Sequence, residues 1–296
     1  MRHFKIVLAY DGTDFVGWQR QASGRSIQGL LEDALRELDG RDVPVTGAGR
    51  TDAGVHAHGQ VASFALERAI EPAVLVRALN ARLPETVRVW SACRVAPTFN
   101  ARFDARANRY RYRICNGPFI SPFDRQYAWH ISGTLDPAAM ADAARRLEGR
   151  HDFAAFQGAG SEVATTERII TISRIVVPGM STTEDAEDAE DQPPLELRRS
   201  ADHLRARLWW SAEASAKAEA LGGDRLITYE VTGDGFLRHM VRNIVGTLVD
   251  VGLGRRMPES IDAVLATRDR SAAGQTAPAR GLFLVAVEYA ALAAEP

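Results

Sequence analysis

Apolar and polar positions along this chain follow two periods, one suited to strands and one to helices. The run Phe4–Tyr10 is strand-like, and a glycine-containing turn and "FVGWQRQ" follow it. From about Ser26 the period lengthens: Ile27, Leu30, Leu31, Ala34, Leu35 and Leu38 recur on one helical face until Gly40. "QVASFAL" alternates as a strand, Pro72 opens a second helix carrying Val74, Leu75, Ala78 and Leu79, and "VRVWSACRV" is a further strand. The second half repeats the theme. "RYRYRIC" alternates, Asp136-Pro137 supplies an N-cap and a first-turn proline, and "RIITISRIVV" is a β-branched strand. "LITYEVTG" is another strand, and "FLRHMVRNIVGTLVDVGL" is a helix apolar on most sides, hence buried. A short helix near 259–267 and a strand over 281–289 close the pattern. These elements predict an α+β fold in two halves, residues 1–105 and 106–296, joined near 100–108.

Between Pro178 and Arg225 the periodicity fails. The run "TEDAEDAEDQ" and a following "PP" predict an acidic surface insertion at about 180–224, with a short helix around 204–221. That insertion changes the reading of charge. The chain carries a net charge of −2, but six of its acids lie in this one run, so the remainder is net positive. Arginines crowd "NARFDARANRYRYR", where Arg102, Arg106, Arg109, Arg111 and Arg113 interleave with Phe103, Tyr110 and Tyr112. Guanidinium groups suit phosphates and aromatic faces suit bases, so the stretch is a nucleic-acid signal; a surface strand with alternating arginine is the plainer alternative. Apolar residues at 46 % and charged residues at 25 % describe a globular protein. The start is too short and polar for a signal peptide, and no apolar run is long enough to span a bilayer, so a cytoplasmic protein with no membrane partner is expected. Cys93 and Cys115 are too few for a disulfide framework or a thiolate metal site and read as packing residues.

The candidate chemistry concentrates in residues 47–60, "GAGRTDAGVHAHGQ", whose glycines predict a loop. Arg50 lies two residues before Asp52, and His56 and His58 follow. Three readings compete. Arg50 could hold Asp52 as an ionised nucleophile; His56 and His58 could bind a divalent metal with Asp52 in a hydrolase; or the loop could be structural. His3, His130, His151, His203 and His239 stand apart in sequence and offer no further ligand. A non-catalytic RNA-binding module built on the arginine and aromatic strand is a fourth reading.

"GWQRQ", "AGRTDAGVHA", "NARFDA", "RYRYRI" and "FLRHMVRNIVGTL" occur in this order, and together they resemble the tRNA pseudouridine synthase A family from residue 4 to about residue 289, the insertion excepted. The resemblance implies two similar α+β, ferredoxin-like halves sharing one mainly antiparallel sheet with helices packed on it. It implies a homodimer that isomerises uridine to pseudouridine at tRNA positions 38, 39 and 40, with no cofactor and no metal. Carried over residue by residue, Asp52 matches the catalytic aspartate, Arg50 its accompanying arginine, Arg242 a basic residue that pairs with the carboxylate, and Tyr110 the tyrosine that packs on the target base. Trp18, Gln19 and Arg20 of "GWQRQ" are candidate substrate contacts. The chemistry agrees: breaking a C–N glycosidic bond and making a C–C bond in the same nucleotide involves no redox change, and a carboxylate nucleophile can hold the fragments meanwhile.

Overall fold

A computed structural model describes residues 1–160, 163–178 and 225–290. The acidic insertion and its short helix lie outside the described residues. The first strand, β1 (Arg2–Tyr10), buries Phe4, Ile6, Leu8 and Tyr10 on one face. Helix α1 (Ile27–Asp39) starts where the Ser26 hydroxyl accepts a hydrogen bond from Gly29 N and ends at Gly40, whose N–H reaches Arg36 O. Its buried stripe, Ile27, Leu31, Ala34, Leu35 and Leu38, is the one the periodicity marks. Two-residue β2 (Thr46–Gly47), β3 (His56–Leu66), α2 (Pro72–Asn80) and β4 (Val87–Arg94) follow.

The chain then runs through β5 (Ala105–Asn116), β6 (Trp129–Ile131), α3 (Pro137–Arg145), β7 (Gly149–Asp152) and β8 (Glu167–Val176). After the insertion come β9 (Arg225–Gly233), α4 (Met240–Gly252), α5 (Ser260–Thr267) and β10 (Leu282–Tyr289). Asp136 caps α3 by accepting from Ala138 N and Ala139 N, with Pro137 in the first turn. Helix α4 is buried on nearly all sides, as its composition requires.

All the strands join one ten-stranded sheet in the order β4-β1-β3-β10-β5-β9-β8-β7, with β2 beside β3 and β6 beside β5. Pairing is antiparallel except at β10–β3 and β5–β6. The last strand therefore lies between β3 and β5, opposing Phe283 to His56 on one side and to Arg111 on the other. No helix among the described residues is long and apolar enough to cross a membrane.

Two expectations are corrected here. The glycine-rich stretch is not loop throughout, because β3 begins at His56 and takes in His58, Gly59 and Gln60. Pairing on both edges, Ala57 with Tyr10 and His56 with Phe283, overrides the weak strand propensity of glycine. The short strands β2, β6 and β7 are invisible to periodicity, since two to four residues display no period.

Candidate active site

The turn carrying Asp52 is fixed from below and from the side. Gln60 Nε2 donates to Gly49 O at 2.9 Å, and the Thr51 and Tyr10 hydroxyls share a hydrogen bond of 2.8 Å. Burial pushes the Tyr10 hydroxyl up to about 12, partly offset by its bonds to Thr51 and Gln60, so it stays a neutral partner. From the 12–18 segment, Trp18 N donates to Thr51 O at 3.0 Å and Gly54 N to Phe15 O at 3.3 Å, while Val55 N closes the turn on Asp52 O at 3.1 Å. Gly17 permits this contact: at φ +106° it occupies a region side chains rarely adopt, and a Cβ there would lie 2.5 Å from Thr51 O.

Helix α4 brings a cation to the turn across 190 residues of sequence. Arg242 Nη1 lies 3.3 Å from Asp52 Oδ2, and Arg242 Nε donates to Ala277 O at 2.7 Å. The segment that presents Ala277 is itself bound to the helix: Ala277 N donates to Arg242 O, and Gly274 N to the Thr247 hydroxyl. Arg270 braces it further, donating to Asn243 Oδ1, the Thr276 hydroxyl and Gly274 O. Asp52 remains 31 % exposed and Arg242 15 %, so the carboxylate is supported from inside and open to a ligand from outside.

His239 joins them, although its sequence position gave it no role. Its Nε2 stands 3.5 Å from Asp52 Oδ2. The residue has φ +58°, one of two non-glycine residues in the left-handed region among those described, and such a conformation costs about 1–3 kcal/mol. Gly158 makes room for the imidazole, since a Cβ there would fall 2.8 Å from Nδ1. The available signal was spacing: His239 and Arg242 are three residues apart at the start of one helix, so they share a face. Both side chains meet Oδ2, and Oδ1 accepts no hydrogen bond among the described residues.

Tyr110 and Tyr112 lie on the same face of β5 but serve differently. The Tyr112 hydroxyl donates to Pro278 O at 2.7 Å and its ring is wholly buried. The Tyr110 hydroxyl lies beside Gly49 and makes no hydrogen bond among the described residues; Phe236 packs edge-on against its ring at 5.1 Å. Burial, with Tyr10 and the charge of Asp52 nearby, raises its pKa well above the ordinary value, so the phenol keeps its proton. Tyr110 is thus the tyrosine that faces Asp52 with its donor free, and Phe236 is a neighbour that no sequence pattern marks.

Several expected contacts are not formed. Arg50 is exposed and pairs with no carboxylate among the described residues; the cation at Asp52 is Arg242. Trp18 is buried against Gly47, Gln19 is exposed, and the Arg20 guanidinium is taken by Glu32 and Asp33 of α1 at 3.1 Å each. Three arginines of β5 alternate away from Tyr110 and Tyr112, and each of the three finds a carboxylate: Arg111 with Glu230 at 2.7 Å, Arg109 with Glu288 at 3.4 Å, Arg113 with Asp124 at 3.5 Å. They face the side of the sheet opposite Asp52. His56 and His58 stack on Phe283, with ring centres 4.7 and 5.1 Å away. Among the described residues no group of three or more His, Cys, Asp or Glu side chains is arranged to hold a metal ion.

A family model described as tRNA pseudouridine synthase matches residues 6–104 and 143–290. The tRNA pseudouridine synthase A of Methylacidiphilum infernorum is 40 % identical over 286 residues, covering 97 % of this chain and 95 % of its own. That of Moorella thermoacetica is 41 % identical over 287 residues, 96 % and 98 % of the two chains, and that of Myxococcus xanthus 40 % over 289, 98 % and 92 %. The chain belongs to the tRNA pseudouridine synthase A family. Membership makes it an isomerase, of a family that forms pseudouridine in tRNA, and the hydrolase and RNA-binding-module readings give way. The family model spans Asp52 and Arg242 but leaves out residues 105–142, so the reading of Tyr110 rests on its place beside the loop.

The His58 imidazole provides a measurable consequence of this packing. Burial, together with Arg111, His56 and Arg113, pushes its pKa from 6.5 down to about 4. Between those values the unfolded chain binds a proton that the folded chain excludes, so stability is full above about pH 6.5 and falls as pH drops toward about 4. Urea unfolding from pH 7 to pH 4 should show this loss, and His58→Gln should flatten the slope. An unchanged slope in the variant would contradict the assignment.

Proposed function

We propose that this enzyme isomerises uridines at positions 38, 39 and 40 of the tRNA anticodon stem-loop, with Asp52 as the nucleophile, and that it acts as a homodimer in the cytoplasm. The observation that supports the nucleophile most directly is the asymmetry of the Asp52 carboxylate. Arg242 and His239 both lie at Oδ2 and orient the group, while Oδ1 accepts no hydrogen bond among the described residues. Attack at ribose C1′ or at uracil C6 makes the same demand, an aimed carboxylate whose cation is not consumed. In either route the C1′–N1 bond breaks, C1′ bonds to C5, the proton on C5 is lost and N1 gains one. The released ring has to turn within the site, and Tyr110 offers it a flat face that Phe236 keeps upright. A uridine within a stem must leave its stack to reach Asp52.

Arg50 has a different role from the one the sequence suggested. Arg50 is exposed and paired with no carboxylate among the described residues, which supports reading it as an RNA contact rather than as the partner of Asp52.

Mapping pseudouridine in unmodified tRNA transcripts after incubation with the purified protein tests the reaction and its positions together. Modification at 38, 39 and 40 is the expected result; modification confined to other positions, or none, would overturn the assignment.

His239 gives a second test. Burial lowers its pKa, Asp52 opposes that, and Arg242, Arg238 and Arg270 lower it further, so the imidazole is neutral at neutral pH. Below its pKa the imidazolium competes for the charge of Asp52 and slows the reaction. Single-turnover rates should therefore show an acid limb below the ordinary histidine pKa of about 6.5. His239→Gln, which keeps a donor but cannot titrate there, should move that limb to lower pH while the rate at pH 8 changes by less than about tenfold. A profile identical in shape to that of the parent would remove His239 from this role.

A further inference from the structure

Three of the five arginines that the sequence marks for phosphates, Arg109, Arg111 and Arg113, face away from Asp52 and are paired, which leaves open what holds the RNA strand beside the reacting nucleotide. An open cleft of about 470 Å3 borders the catalytic turn at Gly54, two residues beyond Asp52. Thr13 and Gly54 line one side and Arg125, Gln126, His130 and Arg280 the other, with no carboxylate in the lining. Arg125 and Arg280 are exposed; among the described residues each bonds only backbone carbonyls, Arg125 to Pro122 O and Arg280 to Ala128 O, so no carboxylate there neutralises their charges.

The walls are tied together. The Tyr127 hydroxyl donates to Asp11 Oδ2 at 2.6 Å, joining the 125–127 wall to the turn that carries Thr13. His56 Nδ1 lies 3.0 Å from Gly12 N and 3.1 Å from Asp11 Oδ1, and its Nε2 lies 3.2 Å from Gln126 O. His56 is therefore a pin between the two walls. Nearby acids are engaged: Asp11 also accepts from Thr13, and Asp124 faces Arg113. Phe119 adjoins the lining residue Ile120 in sequence and Phe123 precedes Arg125 by two residues; they are 70 % and 88 % exposed. A neighbouring hollow shares His130 but adds only Arg255, which is paired with Asp250, so the cationic surface ends here.

We infer that this cleft is a phosphodiester subsite for the unpaired RNA strand adjoining the target uridine, with Arg125 and Arg280 on phosphates and Phe119 and Phe123 as stacking faces for its bases. Unpaired cationic groups next to exposed aromatic rings are the combination that single-stranded RNA engages. The inference rests on the tRNA reading of the active site. It assigns the segment 117–130, which the family model leaves unmatched, a direct part in substrate binding.

The test uses the full chain and an unmodified tRNA transcript, with dissociation constants measured across a salt series. Arg125→Gln with Arg280→Gln should weaken binding by about tenfold near 0.1 M salt and lower the slope of log Kd against log salt by about 0.7–0.9 for each phosphate that is no longer neutralised. Replacing both with Lys should restore most of that slope, because the charge is kept. Phe123→Ala should weaken binding with the slope unchanged, the signature of weaker stacking. Thermal melts of all variants identify any that fail to fold, and the Lys pair keeps the comparison valid if the Gln pair does. Affinity and slope equal to those of an active parent would overturn the subsite. A change in sedimentation mass at unchanged slope would instead make the surface a protein interface and overturn it equally. A parent that neither binds nor modifies tRNA would refute the functional reading, and the subsite with it.

Discussion

The contact between Arg242 and Asp52 is the constraint on which the site depends. A guanidinium on a helix buried nearly all round is costly unless its charge is met, and among the described residues Ala277 O and Asp52 Oδ2 meet it. The same pair holds a loop from the first half of the chain against a helix and a connecting segment from the second. Arg270, Asn243, Thr247 and Thr276 then keep that segment at the distance that lets Ala277 O reach Arg242 Nε. His239 completes the arrangement at the expense of a left-handed backbone, and the strain is sited where the carboxylate needs a second partner. Oδ2 of Asp52 is thereby occupied, and Oδ1 accepts no hydrogen bond among the described residues.

Much of this was legible in the sequence because it is local. Ser26 and Asp136 cap their helices, the stripe of α1 is buried as its spacing requires, and the turn that carries Asp52 lies within the glycine-rich stretch. What could not be read is non-local. The position of β10 between β3 and β5 has no sequence signature, yet it turns His56 and His58 from loop histidines into rings stacked on Phe283. The alternation of β5 shows that Arg109, Arg111 and Arg113 share a face, but not that Glu288, Glu230 and Asp124 take them. Proximity in sequence also misleads at Arg50: the cation two residues from Asp52 pairs with no carboxylate among the described residues, and one 190 residues away lies 3.3 Å from Asp52.

The proposed function divides the work among these parts. Asp52 sits on a turn fixed by buried groups, the Tyr110 hydroxyl makes no hydrogen bond among the described residues, and no carboxylate lines the cleft beyond Gly54. Isomerisation within one nucleotide asks for little else: the fragments must be kept, turned and rejoined before water intervenes. The paired arginines on the far side of the sheet contribute to cohesion between β5, β9 and β10, which leaves recognition of the RNA to side chains that are free to bind it.

The central claim is that Asp52 supplies the nucleophile, and single-turnover release of tritium from 5-tritiated uridine in tRNA tests it most directly. Asp52→Asn keeps the size of the side chain and should leave folding and tRNA affinity largely intact while abolishing release. A rate within tenfold of the parent, about 1.4 kcal/mol in the barrier, would contradict the account.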